Sequence, residues 1–285
     1  MSRVMSAQEK VPGLLGDTPA RDYSHKLRLF NEHAKPELEA AIEWLNVSPG
    51  MHVLDAGCGT GDVLCLLKDA VGPDGTAVGM DMAGAHVAAA RARLPHSSHI
   101  LQGDILAAPL RESSFDCIWC ANTINHLREP LLGVERLTRL LRVDGQIALM
   151  QSSFQPEMFF AWDALLERQV QDAVRSYYRH RYGLREEELT GIRSLVGLLR
   201  SAGVQDVRTK TFVIERISPL ARADEAYLLE AIFRDTWGER LRAHLAPQDY
   251  AKVAQLCDPA SASYALRRED FHYLQCFTVV CGYRR

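Results

Sequence analysis

Two spacings of apolar residues divide this chain. From Tyr23 to Leu45 they recur at helical intervals, through Leu27, Phe30, Ala34, Leu38, Ala41, Ile42 and Leu45, with Pro36 opening a second helix. Ser48-Pro49-Gly50 predicts a turn. Beyond it, short apolar runs alternate with helical segments. Strands are predicted over 51–56, 76–82, 100–102, 115–121 and 146–152, the last after a Val143-Asp144-Gly145 turn, with helices over 61–70, 84–94 and 131–141. After residue 153 the rhythm changes. An aromatic-rich helix is expected over 156–181, a helix over 190–202, a strand over 204–216, a helical stretch over 219–257 and a strand over 271–283. A strand, a helical excursion and another strand predict that the last two pair as an antiparallel edge.

This order implies an α/β fold: a doubly wound, mostly parallel seven-stranded sheet with an antiparallel last strand, and helical insertions forming a cap. The expected divisions are an arm and covering helices over 1–45, with 1–20 loose, and a sheet core over 46–153 that continues over 190–218 and 266–285. Cap insertions are expected over 154–189 and 219–265.

Composition excludes some classes of function. Of 285 residues, 47% are hydrophobic and 24% charged, the balance of a globular chain. The net charge of −3 supplies no field for phosphate backbones, so no nucleic-acid partner is expected. No run of about 18 apolar residues occurs, so no membrane span is expected, and a cytosolic location follows as the expectation. The seven cysteines are scattered; Cys117 and Cys120 form a C-x-x-C spacing inside a strand-like run, without a second pair at zinc-binding distance. No metal is expected.

The sharpest motif is Val53-Leu54-Asp55-Ala56-Gly57-Cys58-Gly59-Thr60-Gly61, a strand running into a glycine turn and a helix. Glycines let a backbone approach a ligand closely, and free N–H groups at a helix start hold polar groups. The dinucleotide fingerprint G-x-G-x-x-G would place its third glycine at position 62, which is Asp62. Asp55, at the strand end, would repel a pyrophosphate but suits a ligand carrying an ammonium and a sulfonium.

Together these residues resemble motif I of the class I S-adenosylmethionine-dependent methyltransferases, through Val53, Leu54, Asp55, Gly57, Gly59 and Gly61. The resemblance covers residues 23–150, and more loosely 190–216 and 271–283. It implies S-adenosylmethionine as cofactor and further contacts in chain order. Asp81, after the second strand, would accept the ribose hydroxyls. Asp104 would accept from the adenine amino group, with Met82 and Ile105 on either side of the ring. The backbone at Asn122 would meet the methionine end. Enzymes of this family often fold a helix over the cofactor, and Arg28 would there pair with its carboxylate; an exposed cationic helix face is the alternative.

In such a fold the acceptor binds beyond the carboxyl ends of the strands. His126, in the segment Asn122-Thr123-Ile124-Asn125-His126, is the candidate general base, with a packing role as its alternative. Asn125, Phe159, Trp162 and Tyr178 are candidate acceptor contacts; Phe159, Trp162, Leu166, Val170 and Val174 also have the spacing of an ordinary core-facing stripe. The implied activity is methyl transfer to a small molecule, at oxygen or carbon rather than nitrogen, by a monomer or homodimer. A protein of this fold that binds the cofactor without methylating, and a nicotinamide-dependent oxidoreductase, remain as alternatives.

Overall fold

A computed structural model of the chain describes residues 15, 20, 22–94, 99–152, 158–189 and 191–285. Five strands run parallel: β1 (His52–Ala56), β2 (Thr76–Asp81), β3 (Ile100–Gln102), β4 (Phe115–Ala121) and β5 (Leu141–Ser152). Three more pair antiparallel: β6 (Met158–Phe159), β7 (Gln205–Ile217) and β8 (His272–Tyr283). The sheet order is β3-β2-β1-β4-β5-β8-β6, with β7 also on β8. Helices α1 (Ser24–His33), α2 (Lys35–Trp44), α3 (Asp62–Val71), α4 (Gly84–Arg93), α5 (Pro130–Leu140), α6 (Ala164–Tyr182), α7 (Leu195–Ser201), α8 (Arg222–Ala226) and α9 (Pro247–Cys257) surround it.

Successive strand residues point to opposite faces, so a strand buried on both sides reads as a continuous apolar run. Val53, Cys117, Trp119 and Met150 pack with α2, α3 and α4 on one face. Leu54, Ile118, Cys120 and Leu149 pack with α5 and α7 on the other. The pleat therefore splits the C-x-x-C pair: Cys117 and Cys120 belong to different layers, and both are buried free thiols.

The expected sheet is right in architecture and differs in three details. It has eight strands, not seven, because Met158 and Phe159 pair with Leu274 and Tyr273 along the side of β8 where β5 has ended. The helix expected from 156 starts at Ala164, where the Asp163 carboxylate accepts from Leu166 N–H at 2.8 Å and caps it, and it ends at Gly183 with φ +66°. Residues 153–157, which include Phe154 and Pro156, lie outside the described residues, as do most of the amino-terminal arm, Pro95 and Thr190. Strand β5 begins at Leu141, ahead of the expected 146, since Val143-Asp144-Gly145 is absorbed as a bulge within it. The stretch expected to be one helical run over 219–257 is broken into α8, a π-helix over Tyr227–Thr236, a short 3₁₀ turn and α9.

The two insertions pack into a single cap core. Phe159 lies 4.9 Å from Trp162 and from Tyr273, and 5.3 Å from Trp237, between ring centroids. Leu29 of α1 joins this core.

A polar cluster ties the cap to the helices before the sheet. Arg216 of β7 donates to Asp224 at 2.8 Å, to both Glu37 oxygens at 2.8 and 3.0 Å, and to the His33 carbonyl at 2.6 Å. His33 Nδ1 lies 2.6 Å from Asp224. Arg216→Ala leaves two carboxylates facing each other without their cation. The expected loss is about 2 kcal/mol in urea denaturation, smaller than for a fully buried pair, because the Arg216 side chain keeps 17% of its exposure. An unchanged unfolding midpoint would show that the cluster is merely solvated surface.

Candidate functional site

The turn after β1 is held in place by its own backbone. Gly57 N–H and Cys58 N–H both donate to the Met80 carbonyl, at 2.7 and 3.0 Å, which binds the loop to β2. Gly57 has φ +84°, and a Cβ there would stand 2.1 Å from Thr123 Oγ1. The loop therefore passes directly against the segment after β4, and only glycine fits. Gly61, at φ +79°, lets α3 start close to Ala90 of α4. Asp62 opens α3 and is held by Thr60, Asn31 and Arg93. A carboxylate thus occupies the helix start where a dinucleotide's pyrophosphate would sit, which argues against the oxidoreductase alternative.

A cavity of about 440 Å³ opens beside this loop, at the carboxyl ends of β1, β2 and β4. Asp55, Gly57, Gly59, Asp81, Met82, Asp104, Ile105, Asn122 and His126 line it. Tyr23, Leu27, Phe30 and Asn31 roof it from one face of α1 and the residue before it. Of the other candidates, Arg28 is exposed on α1 away from the lining, and Gly61 and Asn125 also lie outside it. Phe159, Trp162 and Tyr178 belong to the cap core, so the aromatic stripe fills the cap and not the cavity wall.

The carboxylates sit in three different environments. Asp55 is buried, and its Oδ2 has no hydrogen-bond partner. Burial, then the nearby Asp81 and Asp62, push its carboxyl up to about 8. Asp81 is oriented by the fold: Oδ2 accepts from Gly59 N–H at 2.9 Å and Oδ1 from Ala83 N–H at 2.8 Å, with His86 Nδ1 3.2 Å away, and Oδ2 keeps capacity for a second donor. Asp104 accepts from Leu106 N–H at 2.9 Å and caps the short turn that carries Ile105. Asn122 has φ +47°, and its amide bridges to Ser152 in both directions, at 2.8 and 3.1 Å. Its side chain and its N–H, which donates to the Met150 carbonyl at 2.8 Å, both tie the end of β4 to β5. His126 is half-buried at the end of the 3₁₀ turn Ile124–His126.

Trp119 and His86 are among the lining residues that escaped the sequence reading. Trp119 pairs with Asp55 across β4 and β1, and its Nε1–H is buried without a partner. His86 sits in the first turn of α4. Each reads locally as an ordinary interior residue of a strand or helix.

The profile of a family described as a methyltransferase domain matches residues 54–149, the stretch that builds this cavity from β1 to β5. Residues 54–149 form a class I S-adenosylmethionine-dependent methyltransferase domain. A 2-phytyl-1,4-naphtoquinone methyltransferase of Thermosynechococcus vestitus is 34% identical over 145 residues, covering 49% of this chain and 64% of that protein. The chain thus spans just under two thirds of that relative's length. A demethylmenaquinone methyltransferase of Bacillus licheniformis is 24% identical over 220 residues, covering 73% of this chain and 94% of the relative. The solved YcgJ protein of Bacillus subtilis shares the fold, with a TM-score of 0.52, 16% identity and coverage of 88% of this chain and 99% of that one. Among the described residues, no helix is long and apolar enough to cross a membrane.

Proposed function

We propose that this chain transfers the methyl group of S-adenosylmethionine to a small acceptor with a hydroxylated or quinone-type ring. The observation that carries the reading is the buried Asp55 carboxyl, with an oxygen that no protein group satisfies, in the wall of a cavity beneath a glycine loop. An orphan carboxyl is costly to bury unless a ligand completes it, and an ammonium group does so. The residues present fit the cofactor. Asp55 would meet its ammonium, Asp81 its ribose and Asp104 its adenine amino group, while Met82 and Ile105 would flank the ring. Bound, it supplies an electrophilic methyl on a sulfonium.

The chain contributes orientation and exclusion of water. The Gly57–Thr123 contact and the Asn122–Ser152 bridge fix the cavity wall around the methyl position. Leu27 and Phe30 of the roof, and not the cap aromatics, would lie over the acceptor. The quinone rings in the names of both relatives support a ring acceptor methylated at carbon or oxygen. A proton must then leave as the new bond forms and the carbon–sulfur bond breaks. Of the two lining histidines, His86 is held between Tyr23 and Asp81, and His126 is assigned to take it.

Calorimetry with S-adenosylhomocysteine, and mass-spectrometric turnover with a reduced naphthoquinone, test the reading. His126→Ala is expected to lower turnover about 100-fold while leaving cofactor affinity nearly intact. No binding of S-adenosylhomocysteine would end the proposal. Full activity of His126→Ala would leave positioning alone as the mechanism.

A further inference from the structure

The roof helix α1 has two working faces. Leu27, Phe30 and Asn31 look into the cavity, following Tyr23. The opposite flank is tied to the cap: His25 to Glu230 at 2.6 Å, Lys26 to Asp235 and to Thr236 at 2.9 Å, and His33 to Asp224 at 2.6 Å. At the start of α1 the Asp22 carboxylate accepts from Ser24 N–H at 2.8 Å, while the Tyr23 side chain makes no capping bond. The Tyr23 N–H donates to His86 Nε2, at 3.1 Å, across 63 positions of sequence.

That bond determines the chemistry of the imidazole. A backbone N–H only donates, so Nε2 must carry the lone pair and Nδ1 the proton. The Nδ1 proton points to Asp81 Oδ1, at 3.2 Å. His86 is 7% exposed and lines the same cavity as Tyr23 and Asp81. One buried ring thus joins the carboxylate at the ribose end to the first peptide of the roof. A second bond from the roof's cavity face to the glycine-loop region, Asn31 Nδ2 to Asp62, is long at 3.4 Å.

We propose that His86 is a positioning residue that couples occupancy of the ribose end of the cavity to the seating of α1, and through α1 to the cap. This rests on the cofactor reading above. Hydroxyls donated to Asp81 fix the carboxylate that orients the ring, and the ring fixes the Tyr23 peptide. Without ligand, the same bonds hold the roof only as firmly as an unoccupied carboxylate allows.

Hydrogen exchange of α1 with and without S-adenosylhomocysteine, alongside calorimetry, is the test. In the unsubstituted protein the ligand is expected to slow exchange across α1. His86→Leu should bind about 10-fold more weakly and lose that ligand-dependent slowing. His86→Gln should restore both, because its amide can accept from Tyr23 and donate to Asp81. Should His86→Leu melt below the assay temperature, His86→Phe carries the same expectation, as it keeps an aromatic ring at the position and removes both bonds. Normal affinity together with normal ligand-dependent slowing in His86→Leu would overturn the coupling and leave the cofactor reading standing. Absence of binding by the unsubstituted protein would overturn both.

Discussion

Replacing Asp55 by asparagine is expected to stabilise the ligand-free protein and weaken its grip on the cofactor. The carboxyl is pushed up to about 8 in the fold, chiefly by burial, from about 3.9 in an unfolded chain. A raised folded value means that stability is fully present below the unfolded value and is lost as pH rises through the folded one. The wild-type protein should therefore lose stability from about pH 4 to about pH 8, at roughly 1.4 kcal/mol per pH unit over most of that window. At pH 7 the accumulated cost is about 4 kcal/mol. Asparagine removes it and introduces an unsatisfied amide costing about 1–3 kcal/mol, so a net gain of about 2 kcal/mol is expected. The same change removes a charged partner from the ligand's ammonium, worth about 1.5–3 kcal/mol, or roughly 10- to 100-fold in affinity. Binding at pH 7 should also release about one proton from Asp55, measurable in buffers of different ionisation enthalpy, and the asparagine variant should release none. A variant that melts below the wild type from pH 4 to 8 would refute the account.

Gly57→Ala is expected to cost about 2–5 kcal/mol, from two additive sources. Alanine at left-handed φ costs about 1–2 kcal/mol. Its Cβ would also fall 2.1 Å from Thr123 Oγ1 and 2.8 Å from Cγ2, and overpacking of this kind costs about 1–3 kcal/mol. Thr123 has little freedom to retreat, since it is β-branched and its hydroxyl is bonded to the Ala121 carbonyl at 2.7 Å. Adding Thr123→Ala should recover only part of the overpacking, because Thr123 Cβ would still stand 2.9 Å from the new methyl, so the double-mutant cycle should show a coupling of about 1 kcal/mol. Gly59→Ala meets only the flexible end of Leu27, at 3.0 Å, and is the milder control. Urea unfolding decides the matter: a Gly57→Ala protein within about 1 kcal/mol of wild type would show that the loop has room to move.

The parts of the fold legible in the sequence are those where a local signal and the final packing agree. Strand β4 reads correctly from Phe115 to Ala121 because both faces of it are covered. The glycine loop reads correctly because its spacing reflects a backbone requirement. Strand β6 was hidden, since Phe159 is in phase with the buried Trp162, Leu166, Val170 and Val174 although it stands before the helix that carries Leu166 onward. Among cavity residues, the carboxylates and Asn122 are announced by their positions just after strands. His86 and Trp119 are not, because their contacts are made only when α1 closes over the sheet and β1 lies beside β4. Arg28 lies on the exposed face of α1, outside the cavity lining: helical spacing defines which residues share a face, not which face turns inward.

Strand β8 pairs with β5 through residues 277–283, with β6 at 273–274 and with β7 along nearly its whole length. All three partners precede it in the chain. During synthesis, β5 and β7 emerge from the ribosome with no strand yet available to lie between them, and the β6 segment has nothing to pair with. The parallel half, from β1 to β5, has all its strands within residues 52–152 and can assemble early, whereas the cap side depends on contacts of higher sequence separation, which form slowly. The nascent polypeptide therefore leaves one backbone edge of β5 and one of β7 unpaired until β8 has been made, and unpaired strand edges are templates for aggregation.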